Sequence, residues 1–249
     1  MPQVTDVEQD TASFMKIHHL HNWDVTYQEA VRVQQHLKEQ LILSDTNVPQ
    51  EVRLVAGADI SYSRGDNRFF AAVILMDITS MEIIEKSSFS QLVNFPYIPG
   101  LLTFREGPPL LQAFAGLKRV PDVVIFDGHG IAHPRGIGLA SHMGLFLDIP
   151  TIGCAKKRLI GTHREPGNAV GDYSELIHDG RVIGAVLRTR KNVKPVFVSQ
   201  GHKIALETAL AIAHATCTGF RIVEPVRRAH HEVNHIRIEH LAADHSLLK

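Results

Sequence analysis

The sequence has little cysteine, no excess of either charge and no long apolar run, and each of these absences excludes a class of protein. Two cysteines in 249 residues cannot frame a disulfide-bonded secreted module, so a reducing compartment is expected. No apolar stretch approaches the roughly 20 residues that a membrane helix needs. The first ten residues are acidic, whereas a signal peptide begins with basic residues. We therefore expect a cytoplasmic protein without a membrane partner.

Equal numbers of basic and acidic side chains, 26 of each, conceal an uneven distribution of charge. Residues 1–51 carry three basic and eight acidic side chains, so the rest of the chain carries 23 basic and 18 acidic ones. If the protein binds a polyanion, the binding site is expected after residue 51, where basic residues are in excess.

The length and the composition both favour one globular domain, and we expect the protein to act as a monomer. Hydrophobic residues make up 44% of the chain and charged residues 21%, which is ordinary for a protein with a packed core. We take residues 1–249 as a single domain. Its polar leader (1–17) and its histidine-rich tail (231–249) are expected to be partly disordered.

The order of the predicted elements indicates an α/β fold with a mixed central sheet and helices on both faces. A capping box of Thr26 and Glu29 begins an amphipathic helix. Three strands on short connections then predict an antiparallel meander, and strands alternating with helices predict parallel pairing. The predicted strands cover residues 53–63, 69–78, 82–93, 123–126, 151–155, 182–188 and 196–199. The later helices cover a stretch that begins at Pro108, residues 138–147 and residues 204–214.

Three carboxylates have positions that suit a metal site. Asp59 lies in an apolar strand, and its burial is costly unless it is paired or bound to a metal, although an edge position facing water would explain it equally. Asp127 closes the apolar strand at 123–126, and ligands of open α/β sheets lie beyond the carboxyl ends of strands. Glu106 precedes the predicted helix start, where the helix dipole alone favours a carboxylate. Together, these oxygen ligands would select Mg²⁺ or Mn²⁺ over Zn²⁺.

Basic and aromatic side chains follow the same strands. If the strands at 123–126 and 151–155 are neighbours, their ends bring Lys156 close to Asp127, where a cation suits a phosphodiester. A solvated loop is the ordinary alternative. His133 and His142 lie in the glycine-containing segment after Asp127, although single histidines are more often structural than functional.

Tyr97 lies in a loop stiffened by Pro96 and Pro99, because proline fixes its own backbone φ angle. A rigid loop that presents an aromatic ring could insert that ring into a base stack. A tyrosine of the core in an ordinary loop is the alternative interpretation.

Taken together, these segments resemble the endonuclease V family, which nicks DNA near deaminated bases. The resemblance covers roughly residues 18–230, and its motifs are specific: PYIPG and FREGP, followed by an Asp-Gly-x-Gly-x-x-His-Pro-Arg pattern. The matching stretches are residues 55–62, 95–108, 121–161, 198–209 and 224–230.

The resemblance implies a ribonuclease H-like fold and a DNA repair enzyme that depends on Mg²⁺, with Mn²⁺ able to substitute. The implied reaction is hydrolysis of the second phosphodiester bond 3′ to deoxyinosine or another deaminated base, leaving a 3′-hydroxyl and a 5′-phosphate. By resemblance, Asp59 and Asp127 bind the metal, and Glu106 and His230 complete the catalytic set.

The resemblance also implies how the substrate is held. Lys156 would lie against the scissile phosphate, and Tyr97 would fill the gap left by an extruded base. Residues that match the family's base pocket are Gly100, Leu102, Gly128, Leu139 and Leu159, with His133 beside them.

Three alternatives remain open at this point. The enzyme could be an inosine-specific endoribonuclease acting on single-stranded RNA. It could be a zinc hydrolase that uses Asp127, His129 and His133, although the glycines around His129 favour a loop over a helix. A catalytically silent nucleic-acid binder is the third, and the intact carboxylates argue against it. The chain departs from the family pattern at Gln200, where many members have proline, and His231 directly follows His230.

Overall fold

The computed structural model describes residues 15–63 and 65–247, so most of the predicted leader lies outside the described residues. No helix in this part of the chain is both long and apolar enough to cross a membrane. The helices are α1 (Tyr27–Lys38), α2 (Leu102–Ala115), α3 (Leu139–Leu147), α4 (Leu206–Ala215) and α5 (Glu224–Leu247). The strands are β1 (Leu54–Tyr62), β2 (Arg68–Asp77), β3 (Ile83–Leu92), β4 (Val123–Phe126), β5 (Thr151–Ala155), β6 (Tyr173–His178), β7 (Arg181–Leu187) and β8 (Val196–His202).

These strands form one mixed sheet in the order β3-β2-β1-β4-β5-β8-β7-β6. Strands β1, β4 and β5 are parallel neighbours, whereas the other neighbouring pairs are antiparallel. The predicted antiparallel meander of the first three strands is confirmed, and so is the parallel centre of the sheet.

Helices cover both faces of the sheet, as predicted. Side chains alternate along each strand, and the apolar ones on each face pack against a different pair of helices. On β1, Ala56 and Ala58 belong to the core with α2 and α3, whereas Val55 belongs to the core with α4 and α5. Gly57 lies on the α5 face, and a Cβ atom there would be 2.0 Å from the Pro225 carbonyl carbon. Only glycine lets the start of α5 approach β1 this closely.

Helix α1 begins at the predicted capping box. The Thr26 side chain accepts a hydrogen bond from the Glu29 amide, and the Glu29 carboxylate accepts one from the Thr26 amide at 2.8 Å. Its apolar face packs Ala30 against Phe104 of α2 and Leu37 against Ile137, which precedes α3, and Leu145 of α3. The same face carries Gln34 towards the loop that precedes α2.

The prediction that a helix starts at Pro108 was wrong, because α2 begins six residues earlier and contains both prolines. Each proline removes one backbone hydrogen bond to the preceding turn. Apolar burial before and after the prolines compensates for these lost hydrogen bonds. Phe104 packs in the first turn, and Leu110 and Phe114 pack in the main core. Glu106 therefore projects from within α2.

The chain after residue 170 contains more regular secondary structure than the sequence predicted. Strand β6 was not predicted, and the tail expected to be partly disordered from residue 231 continues as α5 to Leu247. Ala229, Val233 and Ile236 lie four and three residues apart and pack on β2 beside Phe70 and Ile74. This apolar stripe is diluted by histidines and arginines, which is why the segment has no strong helical pattern in the sequence.

Candidate active site

The predicted carboxylates meet where the parallel strands end. Ala58 of β1 pairs with Phe126 of β4, so Asp59 and Asp127 each stand one residue beyond the same register pair. The Asp127 amide donates to the Ala58 carbonyl. Because β1 and β4 are parallel, both carboxylates lie at one edge of the sheet, as open α/β sheets place their ligands.

His230 of α5 completes a group of three ligands with the two aspartates. One ligand atom from each of Asp59, Asp127 and His230 lies within 4.8 Å of the others. The His230 Nδ1 atom lies 2.7 Å from the Asp59 Oδ2 atom. The aspartate side chains are 11% and 15% exposed, whereas that of His230 is 50% exposed, so the group opens to solvent on the histidine side. The neighbouring His231 is not in this group.

Burial and mutual repulsion make the carboxylates receptive to a cation. Burial, and then the charge of Asp59, raise the pKa of Asp127, while the Lys156 ammonium opposes that rise. Burial, and then the charges of Asp59 and Asp127, raise the pKa of Glu106 to about 8. The hydrogen bond to Asp59 raises the pKa of His230. A divalent cation would relieve this repulsion, and carboxylate oxygens with one imidazole fit Mg²⁺ or Mn²⁺.

Lys156 lies beside Asp127, as the strand order required. Its ammonium forms an ion pair with the Asp127 carboxylate, and its side chain remains 37% exposed. Arg221 donates to the Lys156 carbonyl at 2.6 Å and also to the Lys194 carbonyl. Arg221 was not predicted from the sequence. It ties the loop after β5 to the loop before β8 and so fixes the position of the Lys156 backbone.

Asn234 and Ser61 hold the His230 side of the site. The Asn234 side-chain amide donates to the His230 carbonyl at 2.8 Å and lies 3.3 Å from the His230 Nε2 atom. The Asn234 oxygen accepts from the Ser61 hydroxyl at 3.1 Å. Neither residue was predicted from the sequence. The spacing of four between His230 and Asn234 is a signal only if residues 231–249 are taken as helical.

A cavity of about 200 Å³ lies next to this group, and the residues predicted for the base pocket line it together. These are Tyr97, Gly100, Leu102, Gly128, His133, Leu139 and Leu159. A second cavity, of about 280 Å³, shares Tyr97 and Leu102 and reaches Glu106. Tyr97, 68% exposed, therefore stands between the pocket and a carboxylate of the active site.

Hydrogen bonds fix the backbone of the pocket at Gly100. Its carbonyl accepts from Gln34 Nε2 at 3.0 Å and from the Arg135 guanidinium. Gly100 has a φ of +80°, and a Cβ atom there would lie 2.6 Å from that guanidinium. Gln34, from α1, was not predicted, because nothing in its own segment distinguishes it from other helix residues.

His133 is a buried, neutral wall of the pocket. The Arg135 amide donates to its Nδ1 atom at 3.2 Å, so the proton of the neutral ring is on Nε2. Burial, and then the Arg135 charge, lower the pKa of His133 to about 4. The hydrogen bond between the ring and the Gly100 backbone opposes this lowering, so the single donor of the neutral imidazole is engaged with the loop that carries Gly100.

The other histidines of this region have structural surroundings. His129 also lines the pocket, but its Nε2 atom lies 2.9 Å from the Lys157 carbonyl. His142 is fully buried, 2.7 Å from His21, in an aromatic cluster with Trp23. Among the described residues, Asp59, Asp127 and His230 are the only assembled group of three ligands, so the alternative zinc set of Asp127, His129 and His133 is not brought together.

Gln200 has a structural explanation for its departure from the family pattern. Its side-chain amide donates to the Leu43 carbonyl at 2.8 Å and to the Ile204 carbonyl at 3.0 Å. It therefore joins the turn after β8 to the segment that follows α1, which a proline could not do.

Comparison with known proteins gives one consistent result. The family model of endonuclease V matches residues 35–231. The chain is 46% identical over 216 residues to endonuclease V of Dehalococcoides mccartyi, covering 87% of this chain and 96% of that protein. It is similar to the crystal structure of the Bacillus subtilis endonuclease V, with a TM-score of 0.88, 35% identity and coverage of 92% and 100%.

A third relative is described with a nucleic acid. The Ciona intestinalis endonuclease V, in complex with a 24mer DNA containing an inosine followed by a ribo-adenosine, has a TM-score of 0.76 and 28% identity. The match covers 85% of this chain and 98% of that one. These likenesses confirm the predicted ribonuclease H-like architecture.

Proposed function

Because the chain belongs to the endonuclease V family of nucleases, we propose that it is a Mg²⁺-dependent DNA repair endonuclease, able to use Mn²⁺ instead. Its substrate is DNA containing deoxyinosine or another deaminated base. It hydrolyses the second phosphodiester bond 3′ to that base and leaves a 3′-hydroxyl and a 5′-phosphate. We propose further that it acts as a monomer in the cytoplasm.

The observation that carries this proposal is the adjacency of the ligand group and the glycine-lined pocket. Gly128 lines the pocket and directly follows Asp127. A base held in the cavity would therefore keep the sugar-phosphate backbone of its strand at the ligand group. A pocket alone would support binding, and a metal group alone would support hydrolysis of many phosphodiesters. Their contact supports cleavage at a fixed distance from a recognised base.

In the reaction, each residue has a distinct task. Asp59, Asp127 and His230 would hold the metal, which supplies Lewis-acid stabilisation of charge on the reacting phosphate. Glu106, with its raised pKa, lies where it can take or return a proton at the edge of the group. Lys156 can leave Asp127 for a phosphate oxygen and stabilise its developing charge. Water adds to phosphorus, and the bond from phosphorus to the 3′-oxygen breaks.

Recognition requires that the base leaves the duplex. Extrusion costs a few kcal/mol and costs least for a weakly paired base, so a deaminated base enters the pocket more readily than a normal one. Gly100 and Gly128 have no side chains to block the base edge, and Leu102, Leu139 and Leu159 would enclose the faces of the base. Tyr97, at the mouth, would stack in the vacated position.

The direct test maps the nick in a duplex with one deoxyinosine, in the presence of Mg²⁺. We expect one nick at the second bond on the 3′ side, with a 3′-hydroxyl and a 5′-phosphate, and none in the matched undamaged duplex. Asp127→Asn keeps the shape but removes a ligand charge, so turnover should fall by at least about a hundredfold while binding survives.

Two results would overturn the proposal. Nicking at random positions would remove the role of the pocket, and near-normal Mg²⁺-dependent nicking by Asp127→Asn would remove Asp127 as a ligand. A matched single-stranded RNA with one inosine tests the second candidate, an inosine-specific endoribonuclease, which the ribo-adenosine in the Ciona complex favours. Faster cleavage of the RNA than of the DNA would select it.

A further inference from the structure

Helix α5 carries a second set of metal-ligating side chains on its surface, next to the proposed active site. Residues 231–235 read His-Glu-Val-Asn-His, a spacing that on a helix places two imidazoles on one face for a zinc ion. The segment is helical throughout, so the Cβ atoms of His231 and His235 are about 5–6 Å apart. Both histidines are exposed.

A third ligand continues the same face. Glu239 lies one further turn along α5, and its Oε2 atom is 3.5 Å from the His235 Nδ1 atom. The side chains of His235 and Glu239 are 69% and 66% exposed, so solvent reaches the stripe. The stripe of His231, His235 and Glu239 therefore offers two nitrogens and one carboxylate over two turns.

The residues between these ligands face other partners. Lys86 holds the Glu232 carboxylate at 2.7 Å, Val233 is buried against β2, and Asn234 contacts His230. The stripe is thus separate from the group of Asp59, Asp127 and His230. Because Glu232 is committed to Lys86, the general base of a zinc peptidase with this spacing is not free.

We propose that His231, His235 and Glu239 form a surface chelate site for a divalent transition-metal ion such as Zn²⁺. Imidazole ligands favour Zn²⁺, Cu²⁺ or Ni²⁺, whereas the carboxylate-rich active site favours Mg²⁺. Among the described residues, the only group of three ligands already within 4.8 Å of one another is that of the active site. The stripe side chains must therefore rotate together when the ion binds, which exposed side chains can do.

The test is a calorimetric titration, in which Zn²⁺ is added to the full-length protein in excess Mg²⁺ and the heat of binding is measured. Mg²⁺ competes for the oxygen-rich active site but poorly for paired imidazoles. We expect one Zn²⁺ site that is retained in Asp127→Asn. His231→Gln/His235→Gln should weaken this site by about tenfold or more, since even outer-shell partners are worth about 10–100-fold. Glu239→Gln should weaken it less.

Two matched variants separate a chelate from general histidine binding. His36→Gln removes an exposed histidine of α1 that has no histidine one turn away, and Glu232→Gln removes the carboxylate that Lys86 already holds. Both should bind Zn²⁺ as the unmodified protein does. Equal Zn²⁺ affinity in His231→Gln/His235→Gln, with an unchanged melting temperature, would overturn the proposal, as would loss of the site in Asp127→Asn.

Discussion

Tyr97 shows how a single side chain can be assigned a role from its surroundings. Its ring is 68% exposed, lies 6.0 Å from the Arg105 guanidinium and borders both cavities beside the carboxylates. A large aromatic ring left in solvent contributes little to the core, so the ring of Tyr97 is available to stack on a ligand. The interpretation of Tyr97 as a core tyrosine does not agree with this exposure.

We expect Tyr97→Ala to weaken the preference for deoxyinosine DNA over undamaged DNA by about 1–3 kcal/mol, because stacking on one base is lost. Tyr97→Phe should keep the preference, since stacking requires the ring and not the hydroxyl. Lesion-specific binding and melting temperature are measured on both variants. A Tyr97→Ala protein that melts several degrees lower yet keeps its full preference would contradict the stacking role.

Among single residues, the sequence predicts those whose position is chemically costly and misses those that only support them by hydrogen bonds. Burial of a carboxylate in an apolar strand, as at Asp59, or at a strand end, as at Asp127, costs free energy unless a partner is present. Gln34 and Asn234 are ordinary helix residues in the sequence. Their hydrogen bonds to Gly100 and His230 depend on distant parts of the chain, which no local pattern records.

Helix α5 has a buried, hydrogen-bonded carboxylate at its start. Glu224 is 3% exposed and accepts hydrogen bonds from Arg227, Arg228 and Thr218. The hydrogen bond from Arg227 is the main cause that lowers the pKa of Glu224 to about 2, and those from Thr218 and Arg228 add to it. The positive end of the helix dipole also stabilises this carboxylate. This cluster fixes the helix end from which His230 projects.

The pH dependence of stability should report this cluster. Because the folded-state pKa of Glu224 is below its ordinary value of 4.5, its stabilisation is present above pH 4.5 and is lost as the pH falls towards 2. We expect Glu224→Gln to lower the free energy of unfolding at neutral pH by about 2 kcal/mol. Urea unfolding at several pH values should show the two proteins converging in acid.

Glu51→Gln is the matched control, because Glu51 is exposed, and its removal should change stability little at any pH. A difference between Glu224→Gln and the unmodified protein that stays constant from pH 7 to strongly acidic conditions would show that the carboxylate charge is not what stabilises the helix start.

The elements that the sequence predicts well are those with local causes. The capping box fixes the start of α1, and the short apolar runs of β4 and β5 are buried at every position. The errors are non-local: burial on both sides lets α2 run through Pro108 and Pro109, and β2 supplies the partner that makes residues 231–247 helical. Tertiary packing overrides propensity in both cases.

For the whole molecule, the neutral total charge conceals a run of basic residues beside the candidate site. The predicted excess of basic residues after residue 51 includes Lys156, Lys157 and Arg158, which directly follow β5. Lys156 turns to Asp127, whereas Lys157 and Arg158 are exposed. One lysine of this run thus faces the site and the other two residues face solvent.

We expect Lys156→Ala to weaken DNA binding equally for every lesion and to reduce the slope of log affinity against log salt by up to about 0.9, the value for one phosphate contact. Lys157→Ala, adjacent and of equal charge, should change the slope less. Binding measured over a series of salt concentrations decides this. Equal changes in both variants would mean that the run acts only as a diffuse basic patch.

The sequence separation of 171 positions between Asp59 and His230 has a consequence for the order in which the protein folds. Contacts between distant segments form late, because a long loop must close before they are made. The aspartates can come together once β1 and β4 pair, but the ligand group is complete only after α5 docks on β1 through Gly57. A folding intermediate without α5 would therefore have a formed sheet and no complete ligand group, and the recovery of nuclease activity during refolding should lag behind the recovery of sheet structure.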